Sequence, residues 1–372
     1  MSQLNVKNLC NENEDGAPEI ANIADFSATS YMCPPKGTTA QRPLSPNPGD
    51  LRFNTDTASL EYYKGGIWCQ IEMTSPDLDG GARGLFAGGQ NPGLSDVVDY
   101  ITISTFGDAI DFGNLTAGKQ RMGVTSDSTR LVTGGGFTTG FENEMDFFTM
   151  SSLGNATDFG NLTRSNNRLT AFADSTRGVW AGGNPSTNVM DYVTIQSTGN
   201  AVDFGDLTVA GRQSVAGASS STRGLVFGGL SGTDPYTYHN IIDFVTIATT
   251  GNAQDFGDLT QILMSGSACA NSARALYCGG YSTSGNPINN IEYVTIATKG
   301  NSIDFGNGTL ARKDGASLAD KTRGITAGGS NPTLQNRIDS MEIATTGNAL
   351  DFGDLSVTRT SVSGSSNAHG GL

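Results

Sequence analysis

From residue 81 onward the chain is a succession of short apolar runs broken by Gly, Ser, Thr and Asn, with almost no stretch of helical period. The stretch 212–260 shows the unit most plainly. RQSVAGASS (212–220) is rich in small residues, and RGLVFGG (223–229) is apolar and ends in a glycine pair. IIDFVTI (241–247) carries apolar or aromatic residues on both faces, and AQDFGDLT (253–260) follows the turn ATTGN. This pattern predicts four short strands joined by tight turns. A strand that is apolar on both faces suits a sheet covered on both sides rather than a half-exposed hairpin.

The unit repeats. Arg83, Arg130, Arg177, Arg223, Arg274 and Arg323 each open a run that reaches a glycine pair, at spacings of 47, 47, 46, 51 and 49 residues. The third strand recurs as VDYITI, MDFFTM, MDYVTI, IDFVTI, IEYVTI and IDSMEI. A period near this length with this strand content predicts an all-β fold, a six-bladed β-propeller in which each unit is one blade. The first RGLFAGG has no inner strand ahead of it, whereas RTSVSGSSN (359–367) is an inner strand with no unit after it. The C-terminal strand is therefore expected to complete the first blade beside residues 83–117 and to remove the open edges. Small residues in the first strands suit positions that converge on an axis.

Each fourth strand carries Asp-Phe-Gly, at Asp111, Asp158, Asp203, Asp255, Asp304 and Asp351. The same tripeptide holds magnesium in protein kinases, but one active site does not need six copies. The expectation is structural: the Phe packs between blades and the Gly eases a bend or bulge. The six Arg residues before the glycine pairs either bind an anion as a ring or bond to turn carbonyls or a neighbouring Asp, such as Asp203 or Asp255. The structural alternative is favoured.

Ahead of the repeats, residues 1–48 read as an extended attachment segment and linker. Residues 49–80 read as a small β adaptor module, with hairpin-like runs around NTDT and KGG, and residues 81–372 as the propeller. Packing of the small module accounts for Arg52, Tyr62, Tyr63 and Trp68. The same Tyr62, Tyr63 and Trp68 are the best source of an apolar attachment interface, because a segment this short and polar needs a partner to become ordered.

Composition narrows the function classes. A net charge of -14 opposes binding to nucleic acid and to anionic membranes. There is no apolar run long enough for membrane insertion, and MSQLNVKNLCNENEDG lacks the basic and apolar regions of a secretion signal. The chain is expected to be made in the cytoplasm. Cys10, Cys33, Cys69, Cys269 and Cys278 are too irregular for a disulfide framework or zinc site, and reduced, buried small residues are the favoured reading over Cys269 and Cys278 facing each other across one hairpin. Two histidines, His239 and His369, are too few for a metal centre, so no metal and no cofactor is expected. ADSTRGVW (173–180) only mimics a sialidase Asp box, and no nucleophile elbow or Walker loop occurs. The expectation is a non-enzymatic protein.

The Arg, the glycine pair and the aromatic-bearing third strand resemble the kelch family, with the DFG Phe in place of the usual fourth-strand Trp. GDLRFNT followed by an aromatic strand and G-x-W resembles the adaptor segment of bacteriophage tail-fibre and other virion proteins. The DFGDL-type repeats are similar to propeller proteins of marine phages, particularly cyanophages. The resemblance implies a virion protein, a tail fibre or spike made in the host cytoplasm. Other virion proteins would bind through residues 1–80, the propeller would contact host surface glycan or protein, and the chain would be open to homo-oligomer formation. A tail or capsid decoration protein without receptor binding is the alternative.

In such blades the first-to-second and third-to-fourth turns lie at one end, and here they are nearly uniform (DST, SST, STGN, TTGN). The connections at the other end vary: QNPGLSDV, FTTGFENE, NPSTNV, LSGTDPYTYHN, YSTSGNPINN and SNPTLQNR. Variation over a constant frame is what a recognition surface shows. The longest excursion groups Asp234, Tyr236, Tyr238 and His239, the candidate binding residues.

Overall fold

The structure, a computed structural model, describes residues 34–57, 59–71, 82–185 and 187–372. The sequence readings of residues 1–33, of Cys10 and of Cys33 lie outside these. The chain divides into two compact units, Met1–Ser75 and Pro76–Leu372. The described residues are all-β, apart from one 3-10 turn at Thr39–Gln41. No helix among them is long and apolar enough to cross a membrane.

In the first unit, Leu51–Asn54, Ser59–Lys64 and Ile67–Gln70 form an antiparallel meander. The KGG turn is a two-residue loop between paired Lys64 and Ile67, with Gly65 at φ 60° and Gly66 at φ 91°. Positive φ at both central residues matches the twist of a hairpin, and glycine reaches it without steric cost. Lys36–Gly37 adds a short parallel strand beside Phe53–Asn54. Glu61 is 2% exposed; Arg42 and Asn54 donate to its carboxylate and Arg52 lies 3.3 Å away. The hydrogen bond from Arg42 is the main cause holding Glu61 below the usual carboxylate range. Part of the stretch read as linker therefore belongs to the small sheet.

The second unit contains six four-stranded antiparallel sheets. Sheets two to six run in chain order: Gly123–Ser126, Arg130–Gly134, Glu144–Thr149 and Thr157–Asn161 in sheet two, with strands of the same lengths opening at Thr170, Ala216, Ser267 and Ala316 in the others. Sheet one is assembled from both ends of the unit. The C-terminal strand Ser363–Ser366 pairs with Arg83–Ala87, followed by Val97–Thr102 and Ile110–Asn114. The first strand of each sheet contacts the first strand of the next, and the succession returns from sheet six to sheet one.

The DFG copies sit where the sheets meet. In every third-to-fourth strand pair the register slips by one residue, as between Val98 and Asp99, which face Gly113 and Asp111. Phe112 is left unpaired as a bulge, and its ring turns into the core at 3% exposed. The six DFG phenylalanines are all buried. Five meet the aromatic of their own third strand edge to face, as Tyr192 meets Phe204 at 5.8 Å between centroids. In sheet six the third-strand position is Ser340, and Phe106 from the turn of sheet one stacks on Phe352 instead, at 5.1 Å.

Candidate functional site

The frame under the loops is a polar network that the strand pattern does not reveal. The second residue of the third-strand repeat is a carboxylate in every sheet: Asp99, Asp146, Asp191, Asp243, Glu292 and Asp339, all buried. Each accepts hydrogen bonds from the hydroxyl that closes the preceding sheet's fourth strand, namely Ser356, Thr116, Thr163, Thr208, Thr260 and Thr309. Four of them also face a buried cation from the connection into the next first strand: Arg359 on Asp99 at 2.6 Å, Lys119 on Asp146 at 3.0 Å, Arg212 near Asp243 at 3.4 Å and Arg312 on Asp339 at 2.7 Å. Asp191 and Glu292 lack this paired cation among the described residues, because Asn166 and Leu263 occupy its position. Burial accordingly pushes the Asp191 carboxyl up, against the hydrogen bonds from Thr163.

The strand-opening arginines do not form an anion ring and do not reach Asp203 or Asp255. Each donates to carbonyls just past the third strand of the following sheet, as Arg177 does to Ala248 at 2.9 Å and Arg323 to Ile103 at 2.7 Å. Five guanidiniums lie over the third-strand aromatic of their own sheet, and that of Arg323 over Phe106. The turn-carbonyl alternative is the one realised. Cys269 and Cys278 are buried on one hairpin as free thiols, diagonal rather than opposite, since Cys269 faces Leu276 and Cys278 faces Ser267.

The longest loop is a hairpin in which Leu230–Ser231 pairs with Thr237–Tyr238. Asp234, Tyr236 and Tyr238 are exposed on it, so the structure brings these three candidates together at the surface. His239 is drawn inward: its Nε2 lies 2.8 Å from Ser231 Oγ, and burial pushes its pKa down, with Arg212 acting in the same direction. The base of the hairpin is tied to the frame by paired backbone bonds between Leu230 and Gln213. In the first unit, Tyr62, Tyr63 and Trp68 are half-buried, Tyr63 packing on Trp68 at 5.5 Å and Arg52 lying over Trp68. Leu51 and Ile67 are the exposed large apolar residues of that sheet.

The residue after Gln213 belongs to a set that sequence inspection did not single out. Arg121, Arg168, Ser214, Ser265, Asp314 and Ser361 hold the same position before each first strand, and all have φ between 54° and 58°. Non-glycine residues seldom adopt this left-handed conformation, and six at equivalent places mark a shared constraint. The constraint is a circuit of backbone hydrogen bonds. Each N–H donates to the carbonyl of the preceding member, from Arg168 to Arg121 round to Arg121 to Ser361, at 2.7–3.2 Å. Their side chains line a cavity of about 80 Å³ that continues between the small residues of the first strands. At the far end of those strands the C-terminal residues cross over: His369 Nε2 donates to the Ser126 carbonyl and Gly370 N–H to that of Ala270.

Among the described residues no group of three or more His, Cys, Asp or Glu is placed to hold a metal ion. No family model matches the chain, and no curated protein matches it.

Proposed function

We propose that residues 81–372 form a six-bladed, kelch-like β-propeller, and that the protein is a non-enzymatic structural protein of a phage particle, fibre- or spike-like, whose propeller contacts a host surface glycan or protein. The backbone circuit and the pairing of Ser363–Ser366 with Arg83–Ala87 support the architecture. The virion reading rests on the GDLRFNT module and the DFGDL repeats, and residues 1–80 would make the attachment to other virion proteins, with Leu51 and Ile67 as apolar contacts beside Tyr62, Tyr63 and Trp68.

One observation carries the recognition reading: Tyr236 and Tyr238 are exposed together with Asp234 on the longest of the variable loops. An exposed aromatic pair beside a carboxylate offers flat apolar faces to a sugar ring and an acceptor to its hydroxyls. Binding of the full chain to an array of bacterial surface glycans tests this. The expected result is a small set of bound glycans whose signal falls about tenfold or more in a Tyr236→Ala, Tyr238→Ala variant. No binding to any glycan or to host cells would leave a tail or capsid decoration protein as the better reading.

A further inference from the structure

We propose that the mouth of the central cavity is a second recognition site on this face, built for a hydroxylated monocarboxylate of the hexuronate class, with Arg121 and Arg168 as the carboxylate-binding pair. The proposal rests on the same view of the face as a recognition surface, but on different residues.

Arg121 and Arg168 are consecutive members of the backbone circuit, so their side chains start from adjoining positions on one rim. Both are half-buried, and among the described residues neither guanidinium makes a side-chain hydrogen bond or an ion pair. Elsewhere in this unit the partners are supplied: Arg212, Arg312 and Arg359 each face a buried Asp, and the six strand-opening arginines each hold a carbonyl. Burial first, and the neighbouring Arg168 charge second, destabilise the charged form of Arg121, against the attraction of Asp314. Two neighbouring like charges with open donor forks are stabilised by an anion set between them, and a planar carboxylate matches the guanidinium fork.

The rest of the rim selects the anion. Asp314 lies three members round the circuit from Arg168, so the rim carries two positive charges and one negative, a net of one. That balance matches a monoanion, whereas a phosphate dianion would meet the Asp314 carboxylate uncompensated. Ser214, Ser265 and Ser361 complete the rim with hydroxyls that both donate and accept, and Asp314 adds an acceptor. Sugar hydroxyls need such partners. The cavity of about 80 Å³ takes one end of a saccharide rather than a whole ring system, so the ligand enters end-on with its carboxylate between the arginines.

The circuit supplies variants that keep the fold. Ser occupies three of the six positions at φ 54–55°, so Arg121→Ser and Arg168→Ser place at these sites a residue the conformation already accepts. Calorimetric titration of the full chain with glucuronate, glucose and inorganic phosphate is the test. Saturable glucuronate binding is expected, with none for glucose and weaker binding for phosphate. Either Ser variant should weaken glucuronate binding about tenfold or more, the scale of a lost charge-assisted hydrogen-bond pair. Should a Ser variant fold poorly, Arg168→Lys decides: it keeps the charge and loses the fork, so undiminished binding would overturn the proposal. It would also be overturned by no glucuronate binding, by phosphate binding as tightly, or by undiminished binding in well-folded Ser variants. Glucuronate binding abolished by Tyr236→Ala with Tyr238→Ala but untouched by the Arg changes would place the anion at the hairpin. That outcome defeats the mouth site and leaves the face as a recognition surface.

Discussion

Six carboxylates in equivalent surroundings, of which four face a buried cation, make a comparison inside one molecule. Asp99 and Arg359 are both 0% exposed, and the guanidinium also donates to the carbonyls of Gly88 and Val97. Asp99→Asn leaves that charge buried without its counter-ion, which costs about 3–5 kcal/mol in such settings. Asp191 has only its Thr163 bonds and the distant charge of Arg164, and burial raises its pKa. A carboxyl whose folded pKa is raised contributes stability that is present below its ordinary value of 3.8 and is lost as pH rises through the folded value. Asp191→Asn should therefore be much milder than Asp99→Asn at neutral pH. The stability of the wild type relative to Asp191→Asn should also decline between pH 3.8 and neutrality. Urea unfolding of the three proteins across that range is the measurement, and a pH-independent difference for Asp191→Asn would show that the carboxyl titrates normally.

At the scale of the strand, the DFG glycine is needed less for the bulge than for what docks on it. In Gly205 a Cβ would collide with the Gly251 carbonyl oxygen, in the third-to-fourth turn of the next sheet, and the same collision recurs from Gly113 on Gly154 to Gly353 on Gly107. Gly199 has nearly the same backbone angle, φ 152° against 143°, with nothing within 4 Å of its Cβ position. Gly205→Ala should cost about 2 kcal/mol or more beyond Gly199→Ala, because the two share the conformational strain and only one has the clash. Thermal unfolding of the pair checks this; equal losses would mean that the docking is not close. The strands, their order and the DFG packing were legible because apolar period and glycine position repeat six times. The buried carboxylates were not, because a third strand such as VDYITI looks apolar on both faces and its Asp passes for a surface residue. Nor was the left-handed rim: Arg121, Ser214 and Asp314 share a backbone conformation and no side-chain chemistry. In the first unit, the Arg42–Glu61 pair joins a residue of the stretch that reads as linker to the small β module, and only the fold brings them together.

For the unit as a whole, the junction between sheets six and one repeats what the other junctions do. Ser356 donates to Asp99, Asp354 N–H to Asp108 and Arg323 to Ile103, as their counterparts do between consecutive sheets. The difference is covalent: here the contacts join the two ends of the unit, so their formation closes the longest loop in the chain and carries the largest entropy cost. Residues 359–372 hold that junction from the inside. They supply Arg359 for Asp99, Ser361 for the backbone circuit and the strand beside Gly84–Ala87. Their removal would strand a buried carboxylate, open the circuit and leave the Arg83–Ala87 edge unpaired, which invites association through the exposed backbone. A protein ending at residue 358 should therefore unfold less cooperatively, with a smaller slope in urea, or aggregate on heating. If it instead melts in one transition at the temperature of the full chain, the sheets are held by neighbour contacts alone and the C-terminal strand is dispensable.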